Sequence, residues 1–184
     1  FYYSHHITTL EGGICVTDDF DLAEMMRIIR AHGWIRQVED KEKWTKKHPD
    51  FDPKFLFVNE GYNLRITEPQ ASMGLIQIDK LDGFIEKRIS NASNYRSSFS
   101  KYSDFFSFQE TTKDAKNSHF GFPFVVKKNN FFNRDEICKY LNDNGIETRP
   151  IIAGNIARQP ANNLFDHRIS GKLLNSDNIM DNGF

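Results

Sequence analysis

The chain has 184 residues, of which 39% are hydrophobic and 27% charged, and its formal net charge is −1. A near-neutral charge does not point to the basic surfaces that bind nucleic acids or anionic membranes, and no apolar run reaches the length of a membrane span. The aromatic share of 14% favours a packed globular chain over a disordered one. We expect a cytoplasmic protein that binds neither nucleic acid nor membrane.

The pattern at the start of the chain is typical of a layered α/β domain. Residues 1–3 and 14–17 are predicted to be buried strands around a tight glycine turn at residues 12–13. The pair Asp18-Asp19 resembles the N-cap of a helix with apolar periodicity that ends before Gly33.

The middle of the chain is predicted to be a loop, a strand and a long helix. Residues 36–53 are polar and charged, which predicts a solvated surface loop. Residues 55–58 form an apolar strand pattern, and apolar spacing predicts a helix over residues 68–99. Gly83 would bend that helix or divide it in two.

The last part of the chain shows the pattern of a small sheet with one helix. Residues 105–109 and 120–126 are predicted to be strands of that sheet. Asn133 would cap a helix that ends at Gly145, and residues 146–151 would return as a strand.

The two cysteines, Cys15 and Cys138, lie far apart in apolar stretches and outside any Cys-x-x-Cys or Cys/His pattern. A structural zinc or iron–sulfur centre needs clustered ligands, so we expect no metal site and no iron–sulfur cluster. Buried free thiols are the expectation for such a chain.

The segment from Ser4 to Gly13 ends in Thr-Thr-x-Glu-Gly-Gly and follows an aromatic run. It resembles the active-site loop of the sugar aminotransferase family of pyridoxal-phosphate (PLP) enzymes. Most members of that family carry a lysine at the position of His5, and the lysine forms a Schiff base with the cofactor. Histidine cannot anchor the cofactor in this way, but an imidazole with an unperturbed pKa of about 6.5 can still transfer protons.

Other segments resemble the same family in the same order along the chain. They are residues 30–36 (Arg-Ala-His-Gly-Trp-Ile-Arg), residues 61–65 (Gly-Tyr-Asn-Leu-Arg) and residues 145–150 (Gly-Ile-Glu-Thr-Arg-Pro), followed by Gly-Asn at residues 154–155. The matches cover most of the chain. The four segments together, in this order, identify the family far more specifically than any one short motif does.

The resemblance implies the PLP-dependent transferase fold type I, the aspartate aminotransferase-like α/β fold, of which this chain would be the C-terminal half. Residues 1–85 would be the end of the large PLP-binding domain, and residues 86–184 would be a truncated small α+β domain. An absent initiating methionine agrees with a piece of a longer protein. The upstream part would supply the aspartate that pairs with the pyridine nitrogen and the aromatic residue that stacks on the ring.

The resemblance also implies roles for residues near the cofactor. His5 would take a proton from the cofactor carbon that was the aldehyde carbon, and it would protonate the departing C3 hydroxyl of the sugar. Ser4 would orient the cofactor, and Asn63 would reach the cofactor phosphate of the partner subunit, which implies a homodimer with shared active sites. His6 would point to the opposite face of a strand and serve a structural role.

The substrate-binding candidates lie in the matched segments and are Arg36, Arg65, Glu147, Arg149 and Arg158. Arg36 would bind a substrate carboxylate or the diphosphate. Arg149 would bind the glutamate carboxylate or lie next to the sugar, and Arg158 would bind the nucleotide diphosphate. Structural alternatives remain open, because arginine also favours helix C-termini. A Glu147–Arg149 pair could equally be an exposed salt bridge of little energetic worth.

Histidine at position 5 narrows the resemblance to family members that are nucleotide-sugar 3-dehydratases. The implied enzyme is a lyase that uses PLP and pyridoxamine phosphate, with L-glutamate as amino donor. It would remove the C3 hydroxyl of a nucleotide-linked 4-keto-6-deoxy sugar, namely GDP-4-keto-6-deoxymannose, in deoxysugar and O-antigen biosynthesis. Relatives that act on CDP-sugars need cluster-binding cysteines after the first helix, and residues 36–53 contain none.

Two other functions remain as alternatives. A PLP-dependent nucleotide-sugar 4-aminotransferase is disfavoured, because it uses a lysine amine and no lysine lies beside His5. A non-catalytic fold relative is disfavoured by the retained Asn63, Arg65 and Arg149.

Overall fold

The computed structural model describes all residues from 1 to 184, and contacts divide the chain into two units, Phe1–Asp82 and Gly83–Phe184. The assignment of these units to the end of a large domain and to a small domain stays a prediction. None of the helices combines the length and the apolar character needed to cross a membrane.

The helices of the first unit begin at side-chain caps. Helix α1 (Phe20–Ile29) begins after Asp19, whose carboxylate accepts a hydrogen bond from the Leu22 N–H at 3.0 Å, as the sequence predicts. Helix α2 (Lys41–Lys47) begins in the same way after Asp40. The predicted surface loop over residues 36–53 is therefore wrong in part, because a capped helix lies within it.

A small apolar core joins α1 to the segments that follow it. The buried residues are Ile28, Ile35, Val38 and Leu56, with Met25, Trp44 and Val58 packed against them. Trp44 gives α2 a face on this core, which explains why a charged stretch folds as a helix rather than as a loop.

Glu24 ties the segment before α2 to α1. Its side chain is almost fully buried and accepts the backbone N–H groups of Glu39 at 2.9 Å and Asp40 at 3.2 Å. Arg27 pairs with the same carboxylate at 2.5 Å. Burial alone would raise the pKa of Glu24, but the hydrogen bonds from Arg27 and the two backbone groups outweigh it and hold the pKa below its usual value.

The long helix α3 (Glu68–Phe99) has the predicted bounds and is continuous through Gly83, which does not divide it. It runs from the first unit into the second.

The sheet of the second unit has two short strands. Strand β1 (Phe106–Phe108) pairs antiparallel with β2 (Phe124–Val126), so the second predicted strand is shorter than expected. The rings of five residues lie 5.0 to 5.5 Å from the ring of Phe124, and they belong to Phe99, Phe106, Phe108, Phe122 and Phe184. This aromatic cluster is the core of the unit.

Two further helices complete the second unit. Helix α4 (Arg134–Asp143) begins with a capping box between Asn133 and Glu136, and Gly145 follows its end at φ 81°, as predicted. Helix α5 (Leu174–Asn182) brings Phe184 beside β2, where Phe184 and Phe124 exchange backbone hydrogen bonds at 2.9 Å.

Four predicted strands, at residues 1–3, 14–17, 55–58 and 146–151, are absent. A strand exists only through hydrogen bonds to a neighbouring strand. Residues 55–58 form only one isolated bridge, between Phe57 and Trp34, and the other three segments form no bridge. The chain end, and not residues 146–151, pairs with β2. Cys15 lies in one of the unpaired segments and is exposed, so the expectation that both free thiols are buried is wrong.

We expect Glu24→Ala to lower the free energy of unfolding by about 2–4 kcal/mol, because two backbone N–H groups and Arg27 lose a charged, buried acceptor. Urea unfolding measures the loss. Glu42→Ala is the matched control, since Glu42 makes only an exposed pair with Lys46 and its loss should cost less than about 0.5 kcal/mol. Equal effects of the two changes would show that the Glu24 contacts do not stabilise the unit.

Candidate active site

The loop that carries His5 is anchored on the first turns of α3. Thr9 is 2% exposed, and its hydroxyl donates to the Glu11 carbonyl at 2.7 Å. The Gln70 side chain donates to the same carbonyl at 3.1 Å, and the Thr8 N–H donates to the Gln77 side chain at 3.3 Å. These contacts fix the loop without any regular secondary structure.

Glycine is required at one position of this loop. Gly12 has a φ of 144°, and a Cβ there would lie 2.8 Å from the Thr9 hydroxyl. The predicted glycine turn is therefore present, although no strand enters or leaves it.

His5 is held at the surface of the loop. Its backbone N–H donates to the Tyr2 carbonyl at 2.9 Å, and its ring meets the Tyr2 ring edge-on at 6.2 Å. His5 and the neighbouring Ser4 are exposed, whereas His6 is partly buried. An exposed imidazole on an anchored loop can take up and deliver protons to a bound molecule.

The chain after α1 crosses the segment before α3 in close backbone contact. The His32 N–H donates to the Tyr62 carbonyl at 2.9 Å, and the Leu64 N–H donates to the Arg30 carbonyl at 2.9 Å. A bridge between Ala31 and Asn63 lies between these bonds.

Glycines permit this crossing. A Cβ on Gly33, whose φ is 82°, would lie 1.7 Å from the carbonyl oxygen of Asn59. A Cβ on Gly61 would lie 2.1 Å from the nitrogen of Gly33. Any side chain at either position would force the two segments apart.

The crossing brings Asn63 and Arg65 together with His32. The Asn63 Oδ1 accepts from the Arg65 Nε at 3.4 Å and from its Nη2 at 3.3 Å, and the same Nη2 lies 3.4 Å from the His32 Nε2. His32 was not among the predicted site residues. Its place in the Arg-Ala-His-Gly segment, which resembles the family, was the feature of the sequence that could have identified it.

This cluster fits an anion such as a phosphate group. Arg65 forms no ion pair with a carboxylate, and the Asn63 amide N–H groups have no protein partner. Both side chains are exposed. Donors without a negative partner suit phosphate oxygens, which the cofactor of the resembling enzymes carries.

Arg36 follows Gly33 by three residues and also lacks a carboxylate partner. Its guanidinium carbon is 5.0 Å from the centre of the Trp34 ring. Stacking leaves the N–H groups of a guanidinium available for an anion. The alternative that Arg36 stabilises the C-terminus of α1 does not hold, because Arg36 lies beyond α1 in a short 3₁₀ turn at Ile35–Gln37.

The remaining predicted residues lie in the second unit. Glu147 and Arg149 form an ion pair at 3.1 Å, with both side chains more than three-quarters exposed. Such a pair is weak and leaves both groups accessible. The binding role of Glu147 and Arg149 stays a prediction.

Arg158 has a strong partner within the chain. Its Nε and Nη2 donate to the Asp177 carboxylate at 3.0 and 2.8 Å, and the buried Asn155 donates to the same carboxylate at 2.6 Å. The Arg158 and Asn155 bonds lower the pKa of Asp177 to about 2. Two of the Arg158 donors are thus occupied by Asp177, a partner that the sequence did not reveal.

No group of three or more His, Cys, Asp or Glu side chains in the chain is arranged to hold a metal ion.

Comparison with known proteins identifies the family. The sequence profile of the DegT/DnrJ/EryC1/StrS aminotransferase family matches residues 1–184. The chain belongs to this family.

Among members of the family, the GDP-4-keto-6-deoxy-D-mannose 3-dehydratase of Escherichia coli O55:H7 is 37% identical over 99% of this chain and 47% of its own length. A lipopolysaccharide biosynthesis protein of Salmonella typhimurium is 32% identical over 100% of this chain and 44% of its own length. The chain therefore spans about half the length of these curated relatives.

A solved structure of GDP-4-keto-6-deoxymannose-3-dehydratase with a trapped PLP–glutamate geminal diamine superposes with a TM-score of 0.89. It is 37% identical and covers 99% of this chain and 47% of that one. The predicted PLP-dependent, aspartate aminotransferase-like fold is confirmed, with this chain matching about half of it.

We expect Asp177→Asn to destabilise the protein at neutral pH, because Arg158 and Asn155 lose a charged acceptor. The Asp177 pKa is lowered to about 2, so its contribution is present above the usual value of 3.8 and is lost as the pH falls toward 2. Thermal unfolding of both proteins measures this. The difference in melting temperature should hold from about pH 6 to pH 4 and shrink below that. A difference independent of pH would contradict the assignment.

Proposed function

We propose that this chain is one half of a cytoplasmic, PLP-dependent dehydratase. It would remove the C3 hydroxyl of GDP-4-keto-6-deoxymannose in deoxysugar and O-antigen biosynthesis, with L-glutamate as amino donor. The observation that carries the proposal is the exposed imidazole of His5 on an anchored loop, where the family's lysine would stand. The names of the E. coli relative and of the solved structure support the substrate and the cofactor.

His5 is the proposed catalytic residue. When bound, the cofactor in its pyridoxamine form supplies an amine for the 4-keto carbon and a conjugated ring that takes up electrons. The His5 imidazole would remove a proton from the cofactor carbon that was the aldehyde carbon, and it would deliver a proton to the departing C3 hydroxyl of the sugar. The Tyr2 carbonyl and ring fix the position of His5, and Ser4 beside it would orient the cofactor.

Asn63 is the residue proposed to bind the cofactor phosphate. Arg65 holds the Asn63 Oδ1, so the amide N–H groups face away from Arg65 and are available to phosphate oxygens. Without a covalent link, retention of the cofactor depends on such contacts. We propose that Asn63 acts across the interface of a homodimer, in the active site of the partner subunit.

The proposed substrate-binding arginines are Arg36 and Arg65 in the first unit, and Arg149 and Arg158 in the second. Arg36 presents unpaired donors to the diphosphate, and Arg65 adds positive charge beside Asn63. Arg149 would bind the glutamate carboxylate or the sugar, with Glu147 accepting sugar hydroxyls. Arg158 is the least available of these residues, because Asp177 occupies two of its donors.

The tests of this proposal use the complete protein, which is this chain joined to an upstream half equivalent to the remaining length of its relatives. That half would supply the partner of the pyridine nitrogen and the residue that stacks on the ring.

His5→Asn should abolish dehydration while the cofactor still binds, because His5 transfers protons and does not anchor. The loss of turnover should be at least the roughly 10²–10⁴-fold typical of general acid–base residues. Steady-state turnover and cofactor titration measure the two properties. His6→Asn is the control and should stay within a few-fold of the original enzyme. Retention of more than about a tenth of the activity by His5→Asn would exclude His5 as the base.

Asn63→Ala should weaken cofactor binding about ten- to hundredfold, the equivalent of losing one hydrogen bond to a charged group. Equilibrium dialysis with PLP measures the affinity. Glu60→Ala is the control, because the Glu60 side chain is exposed in the same segment and has no partner of its own.

Mixing Asn63→Ala with His5→Asn subunits tests the shared site. In a mixed dimer both defects fall in one pocket and the other pocket is whole, so activity should partly return. Mixed dimers that stay inactive, while each parent folds, would show that Asn63 acts within its own subunit.

A further inference from the structure

His32 lies at the crossing between the chain after α1 and the segment before α3, with its backbone in an uncommon conformation. Its φ is 65°, in the left-handed region that few residues other than glycine adopt. Its N–H donates to the Tyr62 carbonyl at 2.9 Å, and the neighbouring Gly33 N–H donates to the Ile28 carbonyl at 2.9 Å. A Cβ on Gly61 would lie 2.4 Å from the His32 carbonyl carbon. The backbone on both sides therefore fixes the point from which the His32 side chain leaves the chain.

The His32 ring is placed to accept a hydrogen bond from Arg65. Its Nε2 lies 3.4 Å from the Arg65 Nη2. A guanidinium is always protonated and only donates, so this contact is a hydrogen bond when the Nε2 carries a lone pair rather than a proton. That requires the neutral imidazole with its proton on Nδ1. A protonated ring would instead place two positive charges side by side.

Arg65 is thus held by two neutral acceptors. The Asn63 Oδ1 accepts from its Nε and its Nη2, and the His32 Nε2 accepts from the same Nη2. Neutral acceptors orient a guanidinium and leave its positive charge available to an anion. Arg158 is the contrast, because the Asp177 carboxylate that orients it also neutralises it.

The contact with His32 also bears on the direction of the Asn63 amide. Because the Asn63 Oδ1 faces Arg65, its N–H groups point the other way, where the cofactor phosphate is proposed to lie. Asn63 and Arg65 belong to one short segment, so the bonds between them alone would let the pair turn together. His32 is 33 residues from Arg65 in the sequence and ties the pair to the chain after α1.

We infer that His32 is a positioning residue. In its neutral form it anchors Arg65, and through Arg65 it orients Asn63 toward the cofactor phosphate. This inference rests on the proposed function and adds a residue that does not itself touch the cofactor. It also gives the strained backbone of His32 a purpose, since unfavourable backbone angles persist where the surrounding structure holds a functional side chain in place.

Two variants of the complete protein separate the side chain from the backbone. His32→Asn suits the left-handed backbone, which asparagine adopts more readily than most residues, but its amide is too short to reach Arg65. His32→Gln suits that backbone less well, but its longer side chain carries an amide oxygen that can accept from Arg65.

Equilibrium dialysis measures the affinity of each variant for PLP, and thermal unfolding measures its stability. His32→Asn should bind PLP about three- to tenfold more weakly than the original protein, the equivalent of losing one hydrogen bond. His32→Gln should bind PLP within about twofold of the original protein, even where it unfolds at a lower temperature.

His119→Asn is the matched control. His119 is a second histidine with a positive φ, 51°, and it lies in the second unit, where its carbonyl accepts from Arg88. Its replacement should leave the affinity for PLP unchanged.

A merely structural role of His32 predicts the opposite order of the two variants. If His32→Asn binds PLP as tightly as the original protein and His32→Gln binds it more weakly, the backbone alone matters and the inference is wrong. An equal loss in both variants would also overturn it, because an acceptor at this position would then not restore binding. If His32→Gln does not fold, His32→Asn decides alone, since its backbone fits and only the acceptor is lost.

Asn63→Ala in the same assay separates this inference from the proposed function. If Asn63→Ala weakens PLP binding and both His32 variants bind PLP normally, the inference fails and the proposed role of Asn63 stands. If Asn63→Ala leaves PLP binding unchanged as well, both fail.

Discussion

Close packing of backbone against backbone, where the chain after α1 meets residues 59–61, is the constraint on which the rest of the first unit depends. At Gly33 and Gly61 the two segments approach so closely that a single methyl group would overlap backbone atoms. The same region holds two isolated bridges, one between Ala31 and Asn63 and one between Trp34 and Phe57. It also contributes Ile35 and Leu56 to the core.

The chemical character of the site follows from this arrangement. The side chains that the crossing exposes are an amide, an imidazole and guanidinium groups, with no carboxylate paired to Arg36 or Arg65. The opposite holds at Arg158, where Asp177 satisfies the charge and Asn155 is buried behind it. Unpaired donors on a rigid backbone favour binding of an anion, whereas an arginine that is already paired with a carboxylate is less available to one.

Helices and their caps were predictable because their signals are local. Asp19, Asn133 and Gly145 each act within one turn of the helix that they begin or end, and the structure agrees with all three. Strands were predictable only in part, since β1 and β2 lie within the predicted residues 105–109 and 120–126 and the other predicted strands did not form. Residues 14–17 have a strand-like pattern, but strand formation depends on a partner elsewhere, and the chain offers none.

The candidate site was predictable only in part. The glycine motifs and the family resemblance pointed to Asn63 and Arg65, and the structure brings those two into contact. Motifs do not show which arginine is already occupied, so Arg158 appeared as available as Arg36. Its partner Asp177 is distant in sequence and meets it only through the packing of α5.

The central proposal is that histidine in place of the family's lysine would make the complete protein a dehydratase rather than an aminotransferase. The most direct measurement is mass spectrometry of the products formed by the complete protein from GDP-4-keto-6-deoxymannose, PLP and L-glutamate. The account predicts a GDP-linked 3-deoxy-4-keto sugar, with 2-oxoglutarate and ammonia released in equal amounts. A GDP-linked 4-amino sugar that retains its C3 hydroxyl, formed without ammonia, would contradict it.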